Sequence, residues 1–131
     1  MSAILLDTTV LIDYLRGRHG TRRRLAELWS RGDDAYVCAV SIEEVTRGIR
    51  RGEDEELLTL LGGLIEAPLG VPEGRLAGWW RRTLAKRGRT LSQSDALIAA
   101  AAVGVRARIA TGNAGDFRLP AVTVEHWPVG E

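Results

Sequence analysis

The sequence predicts an α/β fold, a central mostly parallel sheet with helices on both faces, and three observations carry that prediction. Short apolar runs of strand length alternate with longer runs of helical period, an order that favours parallel strands joined by right-handed crossovers. No internal repeat, low-complexity tract or long polar linker interrupts the alternation. The 131 residues, 45% of them apolar, suffice for one core without a disulfide or metal staple, so residues 1–131 are expected to form a single domain.

Each element has its own warrant. Ala3 to Leu6 reads as a first strand ending at Asp7, and Thr8 is placed to cap a helix that runs through Leu15 and stops at Gly17. A second helix is expected over Arg22 to Ser30. Ala35 to Val40 is continuously apolar and reads as a buried strand holding Cys38. Ser41 with Glu44 three residues on has the spacing of a capping box, opening a helix to about Ile49. The acidic run Glu53 to Glu56 suits the first turn of the helix bearing Leu57, Leu58, Leu60 and Leu61, where negative charge meets the positive end of the dipole. Pro72 and Glu73 start a helix whose Leu76, Trp80 and Leu84 repeat every four residues and which ends near Gly88. Ser92 or Ser94 opens the next, Asp95 to Val103, too rich in alanine, leucine and isoleucine to lie on the surface. Arg108 to Thr111 and Val122 to Glu125 complete the strands, and a parallel sheet places a site at their carboxyl ends.

Composition narrows the functional classes. With 18 basic and 17 acidic groups the net charge of +1 argues, at face value, against a nucleic-acid partner. The single cysteine has no intramolecular partner and fits a reduced, cytoplasmic setting. The amino terminus has no basic leader, and uncharged stretches reach about ten residues where a membrane span needs about 20, so no membrane association is expected.

On this outline Asp7 follows the first strand, Glu44 lies in the first turn after the second, Asp95 opens the alanine-rich helix and Asp116 lies in a loop after another strand. Each alone suits a cap or a dipole partner. Together, at one sheet edge, uncompensated carboxylates repel and raise one another's pKa until a cation joins them. Carboxylates without cysteine, with His19 and His126 on other elements, suit a hard cation, magnesium or manganese rather than zinc. Magnesium leaves coordination positions for phosphate oxygens and acidifies a bound water, which is chemistry for phosphodiester hydrolysis.

These residues carry a resemblance. Leu5-Leu6-Asp7-Thr8-Thr9-Val10 with Tyr14-Leu15-Arg16-Gly17, Ser41-Ile42-Glu43-Glu44-Val45 with Gly48, Ser94-Asp95-Ala96-Leu97-Ile98-Ala99-Ala100, and Thr111-Gly112-Asn113 with Asp116-Phe117 occur in the order of the motifs of PIN-domain ribonucleases. The chain resembles most closely the VapC toxins of bacterial toxin–antitoxin pairs, end to end. The resemblance implies a PIN-like three-layer sandwich and a magnesium-dependent endoribonuclease, with manganese as the alternative ion. It implies Asp7, Glu44, Asp95 and Asp116 as the catalytic and metal-binding quartet, with Glu43 facing solvent. Thr8 and Ser41 would bring hydroxyls to the carboxylates, and Thr111 and Asn113 would orient the last acid or a metal-bound water; caps and turns explain these four equally. It also implies an RNA substrate, a VapB-like antitoxin and a homodimer.

Two runs of basic residues stand out, Arg16, Arg18, Arg22, Arg23 and Arg24, and Arg75, Arg81, Arg82, Lys86, Arg87 and Arg89. Solvated helix faces would look the same, and Arg81, Arg82, Lys86 and Arg87 are the candidates for RNA contact. Trp79 and Trp80 point about 100° apart on one helix, so one belongs to the core. Trp29, with Leu25 and Leu28, marks an apolar face. Two rivals remain. A phosphatase of the haloacid-dehalogenase type needs an aspartate two residues after Asp7, where Thr9 stands, and no lysine lies near the last motif. A catalytically silent PIN module that binds only RNA or protein would lack one of the acids.

Overall fold

A computed structural model describes residues 2–131. Five parallel strands form one sheet in the order β3-β2-β1-β4-β5, with β1 Ala3–Leu6, β2 Asp34–Val37, β3 Ile65–Glu66, β4 Arg108–Thr111 and β5 Val124–His126. The six helices are α1 Thr8–Leu15, α2 His19–Ser30, α3 Ala39–Arg47, α4 Asp54–Leu61, α5 Val71–Ala85 and α6 Gln93–Gly104, with a short 3-10 turn at Ala114–Phe117. This is the expected three-layer α/β arrangement. Successive side chains of a strand point to opposite faces. On β1, Leu5 therefore joins α5 and α6 in one core layer with Trp80, Leu84, Ile98 and Phe117, while Ile4 and Leu6 join α1, α2 and α4 in the other with Leu11, Leu25, Leu28 and Leu60.

The chain departs from its sequence pattern at identifiable places. The run expected as one strand to Val40 divides: β2 stops at Val37, Cys38 takes the extended cap position, and α3 has begun by Ala39. A continuous apolar run suits a buried strand and a buried first helical turn equally, and the burial of Ser41 and Val45 four residues apart is helical. Ser41 therefore sits inside α3 and no capping box forms with Glu44. Likewise Asp7, not Thr8, is the cap residue of α1, and α2 begins at His19, three residues before Arg22. The two-residue β3 carries no apolar alternation and gave no sequence signal. Ser92 rather than Ser94 caps α6, its hydroxyl accepting from Asp95 N at 3.1 Å. β5 is shifted to Val124–His126.

Two features close the molecule. Gly17 ends α1 at φ +73°, a left-handed turn that favours glycine. The carboxyl-terminal segment folds back over the sheet edge: Trp127 N donates to Thr111 O at 2.9 Å, and Gly130 N donates to Oδ2 of the buried Asp13 at 2.9 Å. A side chain at Gly112 would run into this segment, its Cβ falling 2.2 Å from a Val129 methyl and 3.3 Å from Trp127 O. Among the described residues no helix is long and apolar enough to cross a membrane.

Candidate functional site

Parallel strands bring their carboxyl ends, and the amino ends of the helices that follow, to one edge. Asp7 stands there because β1 is central: Asp7 N donates to Ala110 O at 2.9 Å, extending the pairing of Leu6 with Ala110 by one step. The Asp7 side chain is 4% exposed. Its Oδ2 accepts from Thr111 Oγ1 at 2.7 Å and from Thr9 Oγ1 at 3.4 Å, and Thr9 Oγ1 in turn accepts from Gly112 N at 2.9 Å. Burial raises the pKa of Asp7 above the ordinary carboxylate value; the hydrogen bonds from Thr111, from the Thr8 backbone and from Thr9 pull it back, and Glu44 pushes it further up.

Glu44 reaches the same edge from α3, where Thr8 Oγ1 donates to its Oε1 at 2.7 Å. Asp95, half-buried in the first turn of α6, is raised by burial and by repulsion from Asp116, Asp7 and Glu44, against the lowering hydrogen bond at Ser92. Asp116 lies exposed in the 3-10 turn, its N–H donating to Asn113 O at 2.9 Å. The field at Asp95 thus joins all four carboxylates, from four elements, in one electrostatic cluster. None of the four forms an ion pair among the described residues. Nor are three His, Cys, Asp or Glu side chains among them gathered tightly enough to close round a metal ion. The donor chemistry nevertheless fits a hard cation: carboxylate oxygens alone, two of them raised by burial and mutual repulsion that a positive charge would relieve.

The hydroxyl-bearing candidates divide. Thr8 meets Glu44 as expected, whereas Thr111 holds the first acid, Asp7, rather than the last. Asn113 acts through its backbone, its N–H donating to Thr111 Oγ1 at 2.9 Å and its carbonyl receiving Asp116. Ser41 is fully buried and faces Cys38, with Oγ 4.0 Å from Sγ, because its place inside α3 turns it into the core rather than toward a carboxylate. The thiol of Cys38 is raised by burial. Glu43 faces solvent and pairs with Arg47 at 3.1 Å. Sequence reasoning missed Thr9, whose hydroxyl links Asp7 to Gly112; a threonine two residues past an acid carries no mark of a partner 103 residues away.

The two basic runs also divide. Arg16 pairs with Glu53 at 2.6 Å, Arg22 with Glu56, Arg23 with Glu27 at 3.8 Å and Arg24 with Glu131 at 3.9 Å, so most of the first run is neutralised within the chain. On α5, Trp80 is core and Trp79 is 59% exposed. Arg82, Lys86 and Arg87 are exposed and form no ion pair among the described residues. Arg81 Nε donates to Leu91 O at 3.0 Å and so pins the turn into α6. An open groove of about 680 Å³ runs beside the acids between α3 and α6, lined in part by Glu44, Arg47, Leu69, Ser94 and Leu97.

A family profile described as PIN domain matches residues 4–121. Ribonuclease VapC19 of Mycobacterium tuberculosis is 29% identical over 115 residues, 88% of this chain and 92% of that protein. Ribonuclease VapC of Rickettsia bellii is 30% identical over an alignment of 136 residues, 92% of this chain and 93% of that protein. Among solved structures, VapBC2 of Rickettsia felis bound to a promoter DNA fragment superposes with a TM-score of 0.83 at 20% identity, over 95% of this chain and 98% of that one.

Proposed function

The chain belongs to the PIN-domain family, and on that premise we propose that it is a VapC-type toxin: a divalent-metal-dependent endoribonuclease that hydrolyses RNA phosphodiester bonds and is held silent by a cognate antitoxin. The observation that carries the reading is the cluster itself. Asp7, Glu44, Asp95 and Asp116 are brought from four elements to one edge, and Asp7 is buried there at the cost of a raised pKa. A fold does not retain a buried, unpaired carboxylate among three others for stability, because desolvation and repulsion both oppose it.

Magnesium, or manganese in its place, would be held chiefly by Asp7 and Asp95 and would supply positive charge for the scissile phosphate together with the acidity that makes a water nucleophilic. The chain's own residues prepare that chemistry. Thr111 and Thr9 fix Asp7 Oδ2, Thr8 fixes Glu44 Oε1, and the Asn113 backbone carries Asp116 on a short rigid turn. Held by β1, α3, α6 and the turn after β4, the four carboxylates share one edge, and loading would draw their side chains together about the ion. Arg81 and Arg82 near the end of α5, with Lys86 and Arg87 just past it, would offer phosphate contacts to the RNA. Structures of VapBC complexes among its neighbours support a VapB-like antitoxin as partner, and we place the chain in the cytoplasm as a homodimer.

The test is to incubate purified, antitoxin-free protein with total RNA in magnesium and in chelator and to map the ends produced. Discrete new ends in magnesium alone are the expected outcome. Folded protein that leaves RNA intact in magnesium and in manganese would overturn the reading in favour of a module that only binds.

A further inference from the structure

The geometry points to Arg89 and Arg118 as a clamp for the RNA phosphate beside the catalytic carboxylates, an inference that rests on the ribonuclease reading and deepens it. The two arginines come from different loops, Arg89 from the turn between α5 and α6 and Arg118 from the end of the 3-10 turn after β4. They line one small pocket, of about 110 Å³, together with Asp95, Asp116, Thr90 and Ser92. Two carboxylates and two guanidiniums thus border the same confined space. Among the described residues neither arginine forms an ion pair with any acid.

That separation is built in. Arg89 Nη2 donates to the Arg118 carbonyl at 3.2 Å, and Arg81 Nε donates to Leu91 O at 3.0 Å, so the turn carrying Arg89 is tied at both ends. The Arg118 guanidinium folds back over Gly115, with Nη2 3.8 Å from where a Cβ would stand there. Arg89 is thus tied to the Arg118 backbone, and neither guanidinium is drawn onto Asp95 or Asp116. The gap suits an anion on the arginine side whose charge is shared with cations on the carboxylate side, and a phosphodiester is such an anion. A guanidinium fits it best because its fork of donors matches two phosphate oxygens at once. Arg82, Lys86 and Arg87 do not line this pocket.

The experiment measures binding of a labelled single-stranded RNA oligonucleotide, in magnesium, by the uncleaving Asp7→Asn chain and by the same chain carrying Arg89→Gln or Arg118→Gln. Glutamine stays polar and removes the charge, and Arg118→Gln leaves the Arg118 carbonyl, and with it the tie from Arg89, in place. Each substitution is expected to weaken binding about fivefold to tenfold and to reduce the slope of log affinity against log salt by about 0.7, the value for one phosphate contact on a single strand. Arg31→Gln, which removes a cation paired with Asp33 at the opposite edge of the sheet, should change neither. A structural role alone would leave the salt slope in place; unchanged slope and affinity in both variants overturn the clamp. Cleavage by the unmodified chain is assayed alongside. If it cuts and the variants bind normally, the clamp fails and the ribonuclease reading stands. If it does not cut while the variants lose binding and slope, the ribonuclease reading fails and the phosphate pocket stands.

Discussion

Asp7 concentrates the conflict between stability and chemistry in one side chain. Its pKa is raised mainly by burial, so the folded state holds its proton more tightly than the unfolded chain does, and ionising it destabilises the fold. The stability associated with the neutral form is fully present below the ordinary carboxylate value and is lost as pH rises through the higher folded one. Asp7→Asn keeps an acceptor for Thr111 and removes the charge. In chelator the variant should melt at the same temperature as the parent at acid pH and a few degrees higher at neutral pH, at roughly 4 °C per kcal/mol for a chain of this size, in a series of thermal melts against pH. RNA cleavage should fall more than about 100-fold. Asp7 and Asp95 stood out in the sequence because each ends or opens an apolar element with no base close by, whereas Glu44 and Asp116, each within three residues of an arginine, were picked out by the resemblance of their motifs. The supporting hydroxyls were less legible. Thr111 was placed near the right group but against the wrong acid, and Ser41 was assigned to the site when it belongs to the core, because a hydroxyl's partner is set by which helix turn it occupies.

At the scale of elements, the first basic run and the acidic run after Gly52 explain each other. Arg16 and Arg22, at the end of α1 and in α2, reach across to Glu53 and Glu56 at the start of α4, and both oxygens of Glu53 meet the Arg16 guanidinium, at 2.8 and 2.6 Å. Glu53 is 9% exposed and also accepts from Arg50 N. Removing Arg16 leaves that carboxylate buried without its counterion. Arg16→Ala should therefore cost about 2–3 kcal/mol in denaturant unfolding, somewhat below the range for a fully buried pair, whereas Arg23→Ala, at the exposed pair with Glu27, should cost less than about 0.5 kcal/mol. Neither partner choice was legible, since charge runs announce helix faces and not what those faces meet. Element existence was legible for every helix and for four of the five strands. Their ends were not: the boundary at Cys38 fell inside one unbroken apolar run, and β3 is two exposed residues recruited by the edge of β2.

For the molecule as a whole, the net charge of +1 conceals a segregation. If the four acids are taken up by cations, 18 basic groups face 13 acids, and Arg82, Lys86 and Arg87 are among those exposed. Loading the cluster should also stabilise the fold, because only the folded chain gathers it: at tenfold excess over the dissociation constant the gain is about 1.4 kcal/mol. Thermal melts with added magnesium should show that rise in the parent chain and a smaller one in Asp7→Asn; an equal rise in both would remove Asp7 from the binding set. The pairing of β1 with β4, and of Asp7 with Thr111, has one more consequence, for biosynthesis. The central strand is the first to leave the ribosome, yet its neighbour and the hydroxyl that fixes its aspartate come more than a hundred residues later. A nascent chain cannot complete the edge that gathers the carboxylates until translation has passed β4. A chain so wired leaves the carboxylate cluster unassembled for the whole interval between the synthesis of β1 and that of β4.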